Sequence, residues 1–116
     1  MDDTTLRRYE LRTGIFKALA HPVRIYLLEK LKERPWCVCE LATVAGIDKS
    51  VASKHLSQLR SVGLIDVKKK GTLVEYHLVA PCIIEMSVCA ERTILDSRRW
   101  QLEAINPQNR TLPEKG

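Results

Sequence analysis

A mainly helical domain with one small β-hairpin is the fold class that this sequence predicts, and three observations lead to it. Apolar residues recur at helical spacing from the N-terminus as far as Val62. After Gly63 they alternate with polar residues in two short runs separated by Gly71-Thr72, which is the pattern of a hairpin. Helical spacing returns after Pro81. Because the chain has 116 residues, we expect one domain with a modest core and not a two-domain enzyme.

Four helices are predicted before the hairpin, each bounded by residues that start or stop helices. Proline favours a first turn, aspartate or serine caps a start, and glycine ends a helix. These helices are predicted over Thr4 to Ala20, Pro22 (after His21) to Arg34-Pro35, about Cys39 to Ala45 before Gly46, and from a cap at Asp48 or Ser50 to Val62 before Gly63.

A last helix is predicted to begin at Pro81. Its apolar residues are Ile83, Ile84, Met86, Val88, Cys89, Ile94, Leu95 and Trp100. Residues 106–116 contain two prolines and few apolar residues, so we expect a flexible C-terminal tail there, and residues 1–105 to form the domain.

Charge and hydropathy limit the partners and the compartment. The chain has 19 Lys and Arg against 14 Asp and Glu, a net charge of +5, which favours a polyanionic partner. No segment approaches the roughly 20 apolar residues of a membrane helix, and the first residues are acidic and polar, unlike a secretory leader. We therefore expect a cytoplasmic protein with no membrane partner and with reduced cysteines.

The third and fourth helices and the hairpin predict a winged helix-turn-helix, in which the second helix of the pair lies in the major groove of DNA. The inner side of this reading helix is predicted to consist of Val51, His55, Leu56, Leu59 and Val62. The opposite side is short, polar and free of acidic residues, so it can approach base edges and phosphates, whereas an ordinary solvated face usually mixes Glu with Lys. The predicted DNA-binding face consists of Lys49, Ser50, Ser53, Lys54, Ser57 and Gln58, with Ser61 alongside.

Three lysines are predicted to form the tip of the wing. Lys68, Lys69 and Lys70 would follow phosphates or enter the minor groove beside the reading helix. A triplet of like charges is often only a soluble loop, so this prediction depends on its position directly after the reading helix.

Two thiols at the start of the third helix form a second candidate site. Because Pro35 and Trp36 hold the preceding chain extended, the side chains of Cys37 and Cys39 can face the same way and reach one soft ion. The helix N-terminus favours the thiolate form that binds metal. The alternative for these two, and for the remaining pair of cysteines in the last helix, is burial as packing residues.

The run from Ala18 to Tyr76 resembles the ArsR (ArsR/SmtB) family of small winged-helix metalloregulators, through the segments LAHPVRIYLLEKL, WCVCELA and SVASKHLSQLRSVGLIDVKKKGTLVEYHL. The resemblance implies a transcriptional repressor whose N- and C-terminal helices form a homodimer. It implies an inverted-repeat operator in double-stranded DNA, and release of that DNA when an inducer binds. It also implies that Cys37 and Cys39 supply sulfur ligands for arsenite, antimonite, or a soft divalent ion such as Cd, Pb or Zn.

The thiol set departs from the family pattern. Arsenite-responsive members have a third Cys just downstream, where this chain has Ala42 or Thr43, and cadmium-responsive members use Cys residues of the N-terminal arm, which here contains none. A third sulfur would come from Cys82 or Cys89, within the chain or across the dimer, or these two could form a separate site on a helix face shared with Glu85. The last helix also lacks the Asp-x-His ligand set of zinc-responsive relatives, which argues against a zinc or nickel site of that type.

Other functions stay open. Oxidation or persulfidation of the thiols could replace a metal as the signal. A winged helix can also serve as a protein-interaction module, but its reading helix then tends to expose acidic or apolar residues. A dithiol oxidoreductase would need a βαβ context and a substrate cleft, so we expect no enzymatic activity. His21, His55 and His77 are interpreted as structural.

Overall fold

A computed structural model describes residues 1–105, with the backbone alone for Ile105. The predicted tail, 106–116, lies outside the described residues. The elements are α1 (Asp3–Leu19), α2 (Pro22–Glu33), α3 (Val38–Ala45), α4 (Lys49–Ser61), β1 (Ile65–Lys70), β2 (Leu73–Leu78) and α5 (Cys82–Ile105). This order of helices and hairpin is the predicted one.

The helix boundaries follow from side-chain and glycine caps. Asp2 accepts a hydrogen bond from the backbone N–H of Thr5 at 2.7 Å, which starts α1 one residue before the predicted position. At α2, Nδ1 of His21 accepts from the N–H of Val23 at 3.1 Å, and proline occupies the first helical position. Gly46 ends α3 with a left-handed φ of 67°, and Asp48 is the residue that precedes α4.

The wing is an antiparallel pair of strands. The register pairs Ile65 with Leu78 and Lys70 with Leu73, which leaves Gly71-Thr72 as the turn. Trp36 forms a single bridge to β2 on the edge opposite β1. Its N–H donates to the carbonyl of Tyr76 at 3.3 Å, and its carbonyl accepts from the N–H of Tyr76 at 2.8 Å. The hairpin is therefore tied to the segment just before α3.

Two compact units make up the chain, Met1–Pro81 and a second unit that begins at Cys82 and contains α5. In the first unit, leucines and small apolar residues of α2, α3 and α4 pack with the start of β1. The core residues are Ala18, Leu27, Leu28, Leu31, Leu41, Ala42, Ala52, Leu56, Leu59, Leu64 and Ile65. None of the helices described within 1–105 combines the length and apolarity needed to span a bilayer.

Candidate nucleic-acid interface and thiol site

The orientation of α4 is set by its buried stripe. Ala52, Leu56 and Leu59 are completely buried, and they recur at the four- and three-residue spacing of one helix face. This stripe packs against α2, α3 and β1. The predicted DNA-binding face, Lys49, Ser50, Ser53, Lys54, Ser57 and Gln58, is exposed at every position.

The prediction for Val51 is wrong. Val51 is 39% exposed and not part of the inner side, because the buried stripe begins at the neighbouring residue Ala52. His55 and Val62 are half-buried at the edges of that stripe. Val51 is thus an apolar group on an otherwise polar face, where a side chain of its kind can contact a thymine methyl group.

An open groove of about 410 Å³ lies beside the exposed face of α4. Its lining residues are Arg24, Val51, Lys54, His55, Ser57 and Gln58. Arg24 comes from α2 and was not among the predicted site residues. Its Nε donates to Nδ1 of His55 at 3.1 Å and its Nη1 donates to the carbonyl of Ala18 at 3.2 Å. Local periodicity gives no signal for this contact, because 31 residues separate Arg24 from His55.

His21 is in contact with His55, one of the residues that line the groove. Their ring centroids are 4.4 Å apart with the planes tilted by 49°. The pKa of His55 is lowered, first by desolvation of the half-buried ring and then by unfavourable electrostatic interactions with His21 and Arg24. Both rings use Nδ1 as a hydrogen-bond acceptor, which agrees with the structural interpretation of these two histidines.

The lysine triplet lies in a strand and not at the tip. Lys68, Lys69 and Lys70 are the last residues of β1, and the turn itself is Gly71-Thr72, so the predicted tip position is corrected. All three lysines are exposed. Nζ of Lys70 lies 3.1 Å from Oε1 of Glu75 on β2, which partly neutralises the wing and was not predicted from the sequence.

The two thiols occupy the start of α3. Cys37 is the N-cap, half-buried, and Cys39 is the second helical residue, exposed; both are free. The pKa of the Glu40 carboxyl is lowered because it accepts hydrogen bonds from the backbone N–H and the thiol of Cys37 and from the guanidinium of Arg34. That guanidinium also stacks 3.5 Å from the centroid of the Trp36 ring.

The described residues of one chain do not bring three His, Cys, Asp or Glu side chains together as a metal site. Cys37 and Cys39 are two free thiols at the start of α3. Cys82 and Cys89 are exposed and free on α5, so within this chain they are not buried packing residues. Two helical turns separate their Cα atoms by about 10 Å, beyond the roughly 7 Å that a disulfide spans. The separate site predicted around Cys82, Glu85 and Cys89 is not formed among the described residues.

Comparison with known proteins agrees with this architecture. A family model described as "Bacterial regulatory protein, arsR family" matches residues 21–67. Over 87 residues the chain is 37% identical to the uncharacterized HTH-type transcriptional regulator Rv0081 of Mycobacterium tuberculosis (strain ATCC 25618 / H37Rv), covering 74% of this chain and 76% of the relative. The chain belongs to the ArsR family. It is therefore a DNA-binding transcriptional regulator and not an enzyme, which confirms the predicted class.

Solved structures extend the likeness to the fold. The crystal structure of Rv0081 from M. tuberculosis has a TM-score of 0.69 and 34% identity, over 81% of this chain and 95% of that one. The homodimeric winged helix-turn-helix domain of Mb0332 from Mycobacterium bovis has a TM-score of 0.70 at 24% identity, over 87% and 93% of the two chains. These likenesses confirm the predicted winged-helix fold.

One ArsR relative carries a metal in its name. The cadmium resistance transcriptional regulatory protein CadC of Listeria innocua (serovar 6a) is 33% identical over 67 residues, which is 57% of this chain and 56% of that protein.

Proposed function

We propose that this ArsR-family protein is a dimeric repressor that leaves its operator when an inducer binds the thiols of Cys37 and Cys39. The inducer is arsenite, antimonite or a soft metal ion such as Cd, Pb or Zn, since thiolates prefer soft ions. The observation that carries the proposal is the position of two free thiols at the first turn of α3, the helix that packs directly on α4. The name of the relative CadC supports the same class of signal.

The operator-binding surface in this proposal is the polar face of α4 together with the wing. Each proposed contact from α4 comes from a serine, lysine or glutamine side chain that is exposed. The serine and glutamine groups can bond base edges or phosphates, and the lysines of α4 and β1 can neutralise phosphates. A two-fold symmetric pair of subunits would present α4 twice, so the operator is an inverted repeat whose half-sites lie one helical turn of DNA apart, or a multiple of it.

Two exposed apolar faces support the homodimer. On α1, Leu6, Tyr9 and Phe16 are 42%, 48% and 53% exposed and lie on one face of the helix. On α5, Val88, Leu95 and Leu102 recur every seven residues, with 39%, 56% and 65% exposure. Faces of this kind on a small domain favour burial against a second copy. The structural neighbour Mb0332 is homodimeric, which favours the same assembly.

The route from the thiols to the DNA-binding surface is short. Cys37 directly follows Trp36, whose backbone N–H and carbonyl are both hydrogen-bonded to the backbone of Tyr76 in the wing. The Trp36 indole N–H also donates to the carbonyl of Lys30 at 2.8 Å, which fixes this segment to α2. An ion that binds both Cys37 and Cys39 therefore shifts the start of α3, and through Trp36 this shift displaces β2 of the wing. A coupling free energy of about 1–3 kcal/mol would weaken operator binding by roughly 5- to 150-fold.

A third sulfur completes the inducer site in this proposal. Cys82 or Cys89 supplies it, since both thiols are free and exposed. Both lie on a different face of α5 from the Val88, Leu95 and Leu102 stripe, because seven-residue spacing keeps a helical face and the two sets are offset by one residue.

The test is operator release by single-thiol variants. An operator is first selected from genomic fragments with the reduced protein, and release is then titrated with arsenite, Cd, Pb, Hg and Zn in gel shifts. We expect Cys37→Ser and Cys39→Ser to bind the operator like the parent and to resist release. Cys82→Ser and Cys89→Ser are the matched controls, of which at most one resists release, as the donor of the third sulfur. If Cys37→Ser and Cys39→Ser are both released at the parent's inducer concentration, the proposed site is wrong.

A second candidate signal is thiol oxidation or persulfidation, and the exposure of Cys39, Cys82 and Cys89 favours it. Metal titrations under strict reduction, compared with peroxide or polysulfide in the absence of metal, separate the two signals. Release by peroxide or polysulfide alone identifies the redox version.

A further inference from the structure

We propose that the groove between α2 and α4 holds one phosphate of the DNA backbone, and that Arg24 is its principal ligand. This inference rests on the proposed placement of α4 on DNA, and it adds a residue from outside the helix-turn-helix and the wing.

The lining of the groove has the chemistry that a phosphate diester requires. Arg24 and Lys54 contribute two cations, Ser57 a hydroxyl donor and Gln58 an amide donor, and none of the lining residues is acidic. Lys54, Ser57 and Gln58 are spaced at three and four residues on the exposed face of α4, so their side chains are neighbours. The volume of about 410 Å³ leaves ample room for a phosphate group.

The guanidinium of Arg24 is oriented by hydrogen bonds within the protein before any phosphate binds. Two of its nitrogens are engaged, Nε by His55 and Nη1 by the carbonyl of Ala18. Among the described residues Nη2 has no hydrogen-bond partner, so this end of the guanidinium is available to the groove. A fixed guanidinium loses little rotamer freedom on binding, and its Nη2 can donate charge-assisted hydrogen bonds to phosphate oxygens. His55 is accordingly a positioning residue that acts through Arg24.

The phosphate contact has a signature that separates it from a structural role. A residue that neutralises a phosphate contributes to the salt dependence of binding, and it does so on any DNA sequence. A residue that only orients α4 affects the operator more than random DNA and leaves the salt dependence unchanged.

The experiment measures Kd as a function of salt for the full-length reduced protein on two short duplexes, the selected operator and a random sequence. For Arg24→Gln we expect a roughly tenfold loss of affinity on both duplexes at low salt. We expect the slope of log Kd against log salt to fall by about one for each bound subunit. Arg24→Lys keeps the charge, so its slope stays near that of the parent. Lys32→Gln is the matched control, an exposed residue of α2 outside the groove, and its slope should equal the parent's.

An unchanged slope for Arg24→Gln would overturn the proposal, and so would a loss of affinity confined to the operator. If thermal unfolding shows that Arg24→Gln does not fold, Arg24→Met, which keeps the apolar stem of the side chain, takes its place, with the same expected change in slope and the same disproof. Absence of DNA binding by the parent protein would overturn both this proposal and the proposed function. Failure of every inducer to release the operator would overturn the proposed function alone.

Discussion

At the scale of single residues, His55 links the DNA-binding helix to pH. Its Nδ1 accepts a hydrogen bond from Arg24, and its ring lies against His21. Protonation would remove the acceptor and place a positive charge beside the guanidinium of Arg24 and against the ring of His21. The lowered pKa of His55, which is due to desolvation and then to His21 and Arg24, reflects that cost.

The direction of the pH effect follows from linkage. Because the pKa of His55 in the folded protein lies below its ordinary value of 6.5, the unfolded chain binds the proton more readily. The contribution of His55 is fully present above pH 6.5 and is lost as the pH falls through the folded pKa. We expect the free energy of unfolding, measured with urea, to decline on acidification below pH 6.5, and His55→Gln to flatten that decline.

The control is His77→Gln, which changes a histidine of β2 that faces Glu75 and not Arg24. This variant should keep the parent's decline. An equal decline in His55→Gln and the parent would show that another group is responsible.

Some residues of the candidate site could be predicted from the sequence, and others could not. The polar face of α4 was predictable, because six exposed positions without an acidic residue stand out in the chain. Leu56 and Leu59 of the inner side were predicted correctly, but Val51 was predicted there in place of its neighbour Ala52, because Ala52 has only a methyl group and Val51 is the more hydrophobic residue. Arg24 could not be assigned to the site, because its partner His55 is distant in sequence and the two meet only after α2 packs on α4.

At the scale of elements, two glycines with opposite roles provide a test of the helix boundaries. Gly46 ends α3 with φ of 67°, and nothing lies within 4 Å of an added Cβ, so an alanine there would be strained only by its backbone. Gly14 lies inside α1, where an added Cβ would make an ordinary contact at 3.9 Å with Val62.

We expect Gly46→Ala to lower the free energy of unfolding by about 1–2 kcal/mol, the cost of a left-handed conformation in an L-residue. Gly14→Ala should raise it by about 0.5–1 kcal/mol, because alanine favours a helix interior. Urea unfolding of both variants measures the difference. Equal effects of the two changes would contradict the assigned backbone conformations.

The elements themselves were largely readable from the sequence. Proline at the start of α2, glycine after α3 and alternation in the hairpin each depend on local chemistry, so their boundaries fall within one or two residues of the predicted ones. The bridge between Trp36 and Tyr76 was not predicted, because a single paired residue has no period. The lysine triplet was predicted at the tip because three consecutive lysines lack the alternation that marks a strand, whereas the register places them in β1.

At the scale of the whole molecule, the α1 face of Leu6, Tyr9 and Phe16 is the part of the proposed dimer that mutation can test most directly. Phe16 is 53% exposed in the single chain, so a charge there should not disturb the core. We expect Phe16→Asp to shift the protein from dimer to monomer in analytical ultracentrifugation. The operator affinity should fall as well, because each subunit would then bind one half-site alone.

Lys32→Glu serves as the comparison, since it also adds negative charge but lies on α2, away from this face. It should remain dimeric. A dimeric Phe16→Asp protein would remove α1 from the interface and leave the α5 stripe as the remaining candidate.

The general class of function was predictable at this scale, whereas the inducer was not. A reading helix, a wing and a positive net charge indicate DNA binding from composition and order alone. The groups that bind the inducer depend on which thiols come together in the assembled protein, whereas the sequence shows only that Cys37 and Cys39 are two residues apart. The described residues of one chain likewise bring no third ligand to Cys37 and Cys39.

The stacking of Arg34 on Trp36 has a spectroscopic consequence. The indole lies next to Cys37 in the chain and is fixed by its hydrogen bond to Lys30, so its emission depends on a single, well-defined environment. A heavy ion bound to the sulfur of Cys37 would quench the fluorescence of Trp36, and movement of the guanidinium would shift the wavelength of maximum emission. In a Trp100→Phe variant, Trp36 is the sole tryptophan. Binding of an ion to the thiols can then be measured by intrinsic fluorescence, without DNA and without an attached dye.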